Sequence, residues 1–137
     1  SASGVGPFSA VLFVNGHGGN IAAANASVAR LKLESRTVAV WNPQVAGGDS
    51  HAGRTETSML LHIDPNCVRT GSYEVGSTAR WRDISEKVMA EGLAAVTPNG
   101  VLGDPRGATA KEGEQICADL LVDLQQFVAD WREKHVK

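Results

Sequence analysis

Two short, continuous apolar runs, Ala10-Val11-Leu12-Phe13-Val14 and Thr37-Val38-Ala39-Val40-Trp41, are rich in β-branched and aromatic residues. Turn-forming residues bound both, which predicts two strands. Between them Ile21, Ala24, Val28 and Leu31 recur at helical spacing, predicting a helix over about 20–35 with Asn20 as its N-cap. Met59, Leu60 and Ile63 predict a short second helix with Glu56 in its first turn. A longer stripe of Ile116, Leu120, Leu124, Phe127, Val128 and Trp131 predicts a final helix over about 109–133, its apolar side facing a core or a subunit interface. The stretch 66–107 is rich in glycine and turn residues and shows one helical patch at 83–92. Strand, helix, strand in that order predicts an α/β layered fold with a parallel sheet.

Composition narrows the class only a little. A chain of 137 residues with 42% hydrophobic content suits one domain, and a net charge of -2 gives nucleic acid or an anionic membrane no electrostatic reason to bind. No apolar run approaches the roughly 18 residues that a membrane span requires. Cys67 and Cys117 are too far apart for a C-x-x-C motif, which predicts free thiols and a reducing, cytoplasmic setting. The opening residues 1–9 read as a flexible lead-in.

The candidate chemistry lies in two loops. Asn15-Gly16-His17-Gly18-Gly19-Asn20 follows the first predicted strand, which sets His17 at a strand's carboxyl end, where open α/β sheets hold their ligands. A glycine turn opening a helix can also cradle a phosphate, but neither G-x-G-x-x-G nor a G-K-[ST] ending is present. Neutral imidazole suits zinc or iron, and such a site needs partners. After the second strand, the segment 47–58 carries Asp49, His51, Arg54 and Glu56, and in a parallel sheet its loop opens on the same edge as His17. Each residue has a bland alternative. Asp49 is a common turn residue, His51 a solvated loop histidine, Arg54 one side of a surface salt bridge and Glu56 a helix-start carboxylate.

The pair N-G-H-G-G-N and H-A-G-R-T-E-T-S, with Gly103-Asp104-Pro105 and Ala108-Thr109-Ala110 beyond, resembles the creatininase family of metal-dependent amide hydrolases over about 10–131. The stretch 48–61 and the run 98–105 are most similar to the family's peptidase branch, whose members release a C-terminal dipeptide from a modified precursor peptide. The resemblance implies a parallel α/β fold, one or two divalent metal ions (zinc or iron) and a homo-oligomer. It assigns metal binding to His17 and Glu56 and proton transfer to His51. Arg54 would grip a substrate carboxylate, Trp81, with Tyr73 beside it, would line the substrate mouth, and Asp49 would orient a ligating histidine.

Two departures from the family pattern matter. No upstream E-x-H-G segment occurs, so the chain reads as the C-terminal part of a single creatininase-like domain that lacks the N-terminal strands and holds part of the metal site. A missing segment or a neighbouring chain would supply the remaining ligands. Gly19 stands where creatinine-hydrolysing members carry a metal-binding glutamate, which leaves Glu56 as the candidate ligand. A metal would lower the pKa of bound water to about 7, and an imidazole with an ordinary pKa of about 6.5 can carry its proton to the leaving amine. A metal-dependent amide or peptide hydrolase is therefore expected. A creatinine- or formamide-type hydrolase, a non-catalytic fragment and a nucleotide-binding module are the alternatives. Stoichiometric metal lost on His17→Ala and Glu56→Ala separates a metal-dependent hydrolase from the non-catalytic fragment and the nucleotide-binding module.

Overall fold

A computed structural model describes residues 8–135. Along the chain run β1 (Ala10–Val14), α1 (Ile21–Leu33), β2 (Thr37–Trp41), α2 (Arg54–Ile63), α3 (Trp81–Glu91) and α4 (Ala110–His135), with single 3-10 turns between some of them. The chain divides into two compact units, 1–44 with 120–137 and 45–119, so α4 begins in the second and ends in the first. Among the described residues no helix is long and apolar enough to cross a membrane.

In the first unit β1 and β2 pair in parallel with Ala10 opposite Thr37 and Val14 opposite Trp41. A parallel pair needs a crossover, which α1 provides, packing on β2 through the half of its surface that carries Ala24, Val28 and Leu31. Val38, Ala39 and Trp41 are buried. By alternation Trp41 shares a face with Thr37 and Ala39, and its indole donates to Asp123 of α4 at 2.7 Å. The predicted stripe of α4 is its half-buried side, whereas Leu121 and Val122 are exposed. β1 is covered less well. Its apolar run fits a strand buried on both faces, yet Phe13 and Val14 are 37% and 58% exposed.

The start and end of α1 show how local chemistry sets its limits. Asn20 occupies the N-cap position but has helical dihedrals and makes no side-chain cap bond. A 3-10 turn over Gly18–Asn20 precedes the helix, and His17 caps that turn instead. At the other end Ser35 takes φ +59, its N–H bonds to the Lys32 carbonyl at 3.0 Å, and the Arg36 N–H reaches back to Leu31 at 3.0 Å. This is a Schellman stop with serine where glycine is usual, and it turns the chain into β2.

The second unit carries α2, α3 and the start of α4, joined by long loops and, among the described residues, with no strand of its own. An antiparallel bridge joins His51 to Leu102, and backbone bonds join Gly76 to Gly103 and Ser77 to Val101. The unit's buried polar residues are Thr55, Thr57, Ser58 and Thr97, and Ser58 is 0% exposed. Gly113 lies against the Ser58 carbonyl and Gly76 against that of Val101, each so close that a Cβ would overlap backbone. The helical patch expected at 83–92 is α3, which begins two residues earlier, at Trp81. Cys67 and Cys117 are free thiols.

Candidate functional site

In the first unit Asn15 closes β1 and builds the loop behind it. It is buried, its amide donates to Asn42 Oδ1 at 2.7 Å, and its Oδ1 accepts the His17 N–H at 3.2 Å. The exposed His17 ring turns back, and its Nδ1 accepts the Gly19 N–H at 3.1 Å. A Cβ at residue 19 would stand 2.9 Å from His17 Cε1, so this pose requires glycine there. With Nδ1 used as an acceptor, the neutral ring carries its proton on Nε2.

In the second unit the turn into α2 gathers Asp49, His51, Arg54 and Glu56. The Asp49 carboxylate accepts the N–H groups of Arg54 and, at 3.0 Å, Thr55, while Thr55 Oγ1 accepts the Asp49 N–H at 3.2 Å. These bonds satisfy the first orphan donors of α2, a task Gly53 at the N-cap cannot perform. Asp49 also fills the space over Gly53 and Gly103. It therefore braces the loop through backbone groups.

His51 is clamped by its main chain. Its carbonyl accepts the Leu102 N–H at 2.8 Å, and the Leu102 carbonyl accepts the Ser50 and His51 N–H groups at 3.1 and 3.3 Å. Ala52 then takes φ +52, a left-handed conformation unusual for a residue with a Cβ. That turn aims its N–H at Glu56 Oε2, 2.6 Å away. The same oxygen lies 3.5 Å from His51 Nδ1, and both side chains are nearly half exposed, at 43% and 45%. At 3.5 Å the carboxylate faces Nδ1 across a gap longer than a hydrogen bond. The first turn of α2 also favours negative charge on Glu56.

Arg54 is engaged elsewhere in this unit. Its Nε donates to both Glu112 oxygens at 2.9 and 2.8 Å, Ser58 Oγ donates to Glu112 at 3.1 Å and accepts the Thr109 N–H at 3.2 Å. This network ties α2 to the start of α4, so the salt bridge named as the bland alternative for Arg54 is present. Trp81 opens α3 with 47% of its surface exposed and an extended Arg80 before it. Tyr73 is half-buried, its hydroxyl shielded and without a partner among the described residues. His62 and His135 sit in the last turns of α2 and α4, where cations complement a helix end.

Two perturbed carboxylates flank these elements. Arg106 grips Asp104 through Nε and Nη2 at 2.9 and 2.8 Å and holds its carboxyl below the usual range. Asp64, which accepts from Cys67 Sγ at 3.1 Å, is also lowered, while the Cys67 thiol is raised by that bond. A raised thiol is a poor nucleophile at neutral pH.

Among the described residues no group of three or more His, Cys, Asp or Glu side chains stands close enough to hold a metal ion. His17 spends one ring lone pair on Gly19, and Glu56 Oε2 is shared between Ala52 and His51. In this arrangement the described residues do not make a metal site by themselves. Asn15, Ala52, Leu102 and Glu112 carry much of the geometry without having been singled out from sequence. Only Asn15, a polar residue closing an apolar run, left a readable signal.

The model of the family described as creatinine amidohydrolase matches residues 6–128. The mycofactocin precursor peptide peptidases of Mycobacterium ulcerans (strain Agy99) and Mycolicibacterium smegmatis are each 45% identical, over 121 and 125 residues. That of Mycobacterium tuberculosis (strain H37Rv) is 46% identical over 122. These matches cover 88%, 90% and 88% of this chain but 48%, 50% and 48% of the relatives, so the chain spans about half their length. A Bacteroides fragilis protein described as a candidate creatinine amidohydrolase has a crystal structure that superposes with a TM-score of 0.73. At 23% identity, covering 96% of this chain and 57% of that one, it establishes the fold. The parallel α/β architecture is thus of the creatininase type, and the chain belongs to the creatininase family of amidohydrolases.

Proposed function

We propose that this chain forms part of a metal-dependent amide hydrolase acting on peptides, one that releases a C-terminal dipeptide from a modified precursor peptide. The observation that carries this reading is the 45–46% identity to mycofactocin precursor peptide peptidases. A 121-residue match within 137 residues takes in His51 and Glu56. The loop geometry supports a role for that pair. Glu56 Oε2 stands 3.5 Å from His51 Nδ1, and in the proposed reaction it closes on that nitrogen while His51 Nε2 takes a proton from the attacking water and returns it to the leaving amine. Ala52 and Leu102 fix both partners before substrate arrives, as proton transfer requires.

The metal requirement follows the family. His17 and Glu56 are the residues of this chain proposed to contribute to metal binding, with further donors from additional polypeptide or a neighbouring copy in a homo-oligomer. Releasing His17 Nδ1 from Gly19 would be part of that binding. Arg54, paired with Glu112 through Nε, keeps its terminal nitrogens for a substrate carboxylate, and Trp81 offers an exposed ring beside the substrate.

The test uses the full-length protein that contains this chain, incubated with a precursor-derived peptide and followed by mass spectrometry. Release of the C-terminal dipeptide, its loss with a chelator and near-stoichiometric zinc or iron by elemental analysis are the expected results. Hydrolysis of creatinine or a small formamide with intact peptide would replace the peptidase reading with the small-amide one.

A further inference from the structure

In the second unit Thr109-Ala110-Lys111-Glu112 has the T-x-x-E spacing of a capping box at the start of α4. One half of the box is made, since Thr109 Oγ1 accepts the Glu112 N–H at 3.1 Å. In the other half the glutamate side chain ordinarily turns back to the N-cap N–H. Ser58 Oγ, on α2, takes the Thr109 N–H at 3.2 Å instead, so the cap does not need the Glu112 carboxylate. That carboxylate reaches Arg54 Nε with both oxygens, at 2.9 and 2.8 Å, and the fully buried Ser58 donates its hydroxyl to Oε2 at 3.1 Å.

The way Glu112 meets Arg54 decides what the arginine has left. A carboxylate that serves only to pair with arginine takes two N–H groups side by side, one on each oxygen. Glu112 converges on Nε alone, and the Ser58 bond fixes Oε2 in that position. The end of the guanidinium, formed by Nη1 and Nη2, is a second edge that offers a carboxylate two parallel N–H groups. Nη1 reaches the turn at Gly107, where a Cβ would stand 3.5 Å from it. Asp104, the carboxylate of that loop, is gripped by Arg106 at 2.9 and 2.8 Å. The Arg54 side chain is 53% exposed, which leaves its end open to a ligand.

We infer that Glu112 is a positioning residue: anchored by Ser58, it holds Arg54 by Nε and aims the edge formed by Nη1 and Nη2 at the free C-terminal carboxylate of a peptide, which makes the hydrolase selective for peptides with an unblocked C-terminus. The inference rests on the peptidase reading and names the substrate feature that its site selects. A C-terminal amide has one acceptor oxygen where the carboxylate has two, and its own N–H groups face the donors of Arg54.

The test is steady-state hydrolysis, by the full-length protein, of one precursor-derived peptide with its C-terminus free or amidated, followed by mass spectrometry. The unchanged protein should favour the free peptide by about tenfold or more in kcat/KM. Glu112→Gln should raise KM for the free peptide about tenfold, with kcat within about twofold, and leave KM for the amide level. Glu112→Asp, which keeps the charge on a shorter arm, should fall in between, and it carries the same comparison if Glu112→Gln does not fold. Arg54→Gln should erase the preference, and adding Glu112→Gln to it should change the preference no further. Equal kcat/KM for the two peptides, or losses in Glu112→Gln that are the same for both, would overturn the inference while the peptidase reading stands. No dipeptide release from either peptide would overturn that reading and the inference with it.

Discussion

The first unit is built on a parallel strand pair and covered unevenly, whereas the second has no strand among the described residues and joins its helices through loops held in detail. In the first, a two-stranded parallel sheet carries β1 with its Phe13 and Val14 open. In the second, buried hydroxyls, a cap reaching from Asp49 and glycines pressed on backbone fix the loop that carries His51 and Glu56. The contrast shows that regularity and precision are separate properties. Polar side chain-to-backbone bonds specify a loop as tightly as a ladder specifies a strand, because each unmet buried donor or acceptor carries its own penalty.

The sharpest way to break this contrast is to add one methyl group to the second unit. Gly113→Ala puts a Cβ into the Ser58 carbonyl and 2.8 Å from the Met59 nitrogen, so backbone must move. A loss of about 3 kcal/mol is expected in urea unfolding. Leu33→Ala, at an 84% exposed site in α1, should stay within about 0.5 kcal/mol. Equal effects would end the distinction. Next in size, Asp49→Ala should cost about 2 kcal/mol through the lost cap and lower turnover by loosening the His51 loop. A variant equally stable and equally active would show that Asp49 braces nothing.

The regular elements were legible because a short β-rich apolar run marks a strand and a period-3.6 stripe marks a helix, and both strands and the apolar stripe of α4 stand where those patterns lie. Candidate residues of the second loop were legible as residue types, and four of them are gathered at one turn. Their arrangement was not legible. The bridge to Leu102 and the Arg54–Glu112 pair join residues about fifty positions apart, a separation that local pattern cannot report. Asn20 missed its capping role because the 3-10 turn before α1 shifted that task to His17. The left-handed Ala52 carries no sequence signal, since alanine has no preference for that conformation.

Smaller effects sharpen the comparison. Ser35→Gly relieves the positive φ at the end of α1 and should raise stability by about 1 kcal/mol in thermal or urea unfolding. No gain would mean the serine makes a compensating bond. The smallest expected effect concerns Asp104, whose lowered pKa contributes stability above the unfolded carboxyl value of about 3.9 and loses it as pH falls through the folded value. The Tm gap between the protein and its Asp104→Asn variant should therefore be present at pH 6 and close below about pH 4. A gap that does not narrow at all as pH falls from 6 through the acid range would assign the effect to something other than the Arg106 pairing.

The central claim is that His51 and Glu56 act as one unit, and a double-mutant cycle on peptide hydrolysis by the full-length protein tests it most directly. If the pair is coupled, His51→Ala and Glu56→Gln each lower kcat by a factor on the order of a hundred or more, and the double variant is scarcely worse than either. Losses that multiply, or a His51→Ala variant with unchanged kcat, would contradict the account.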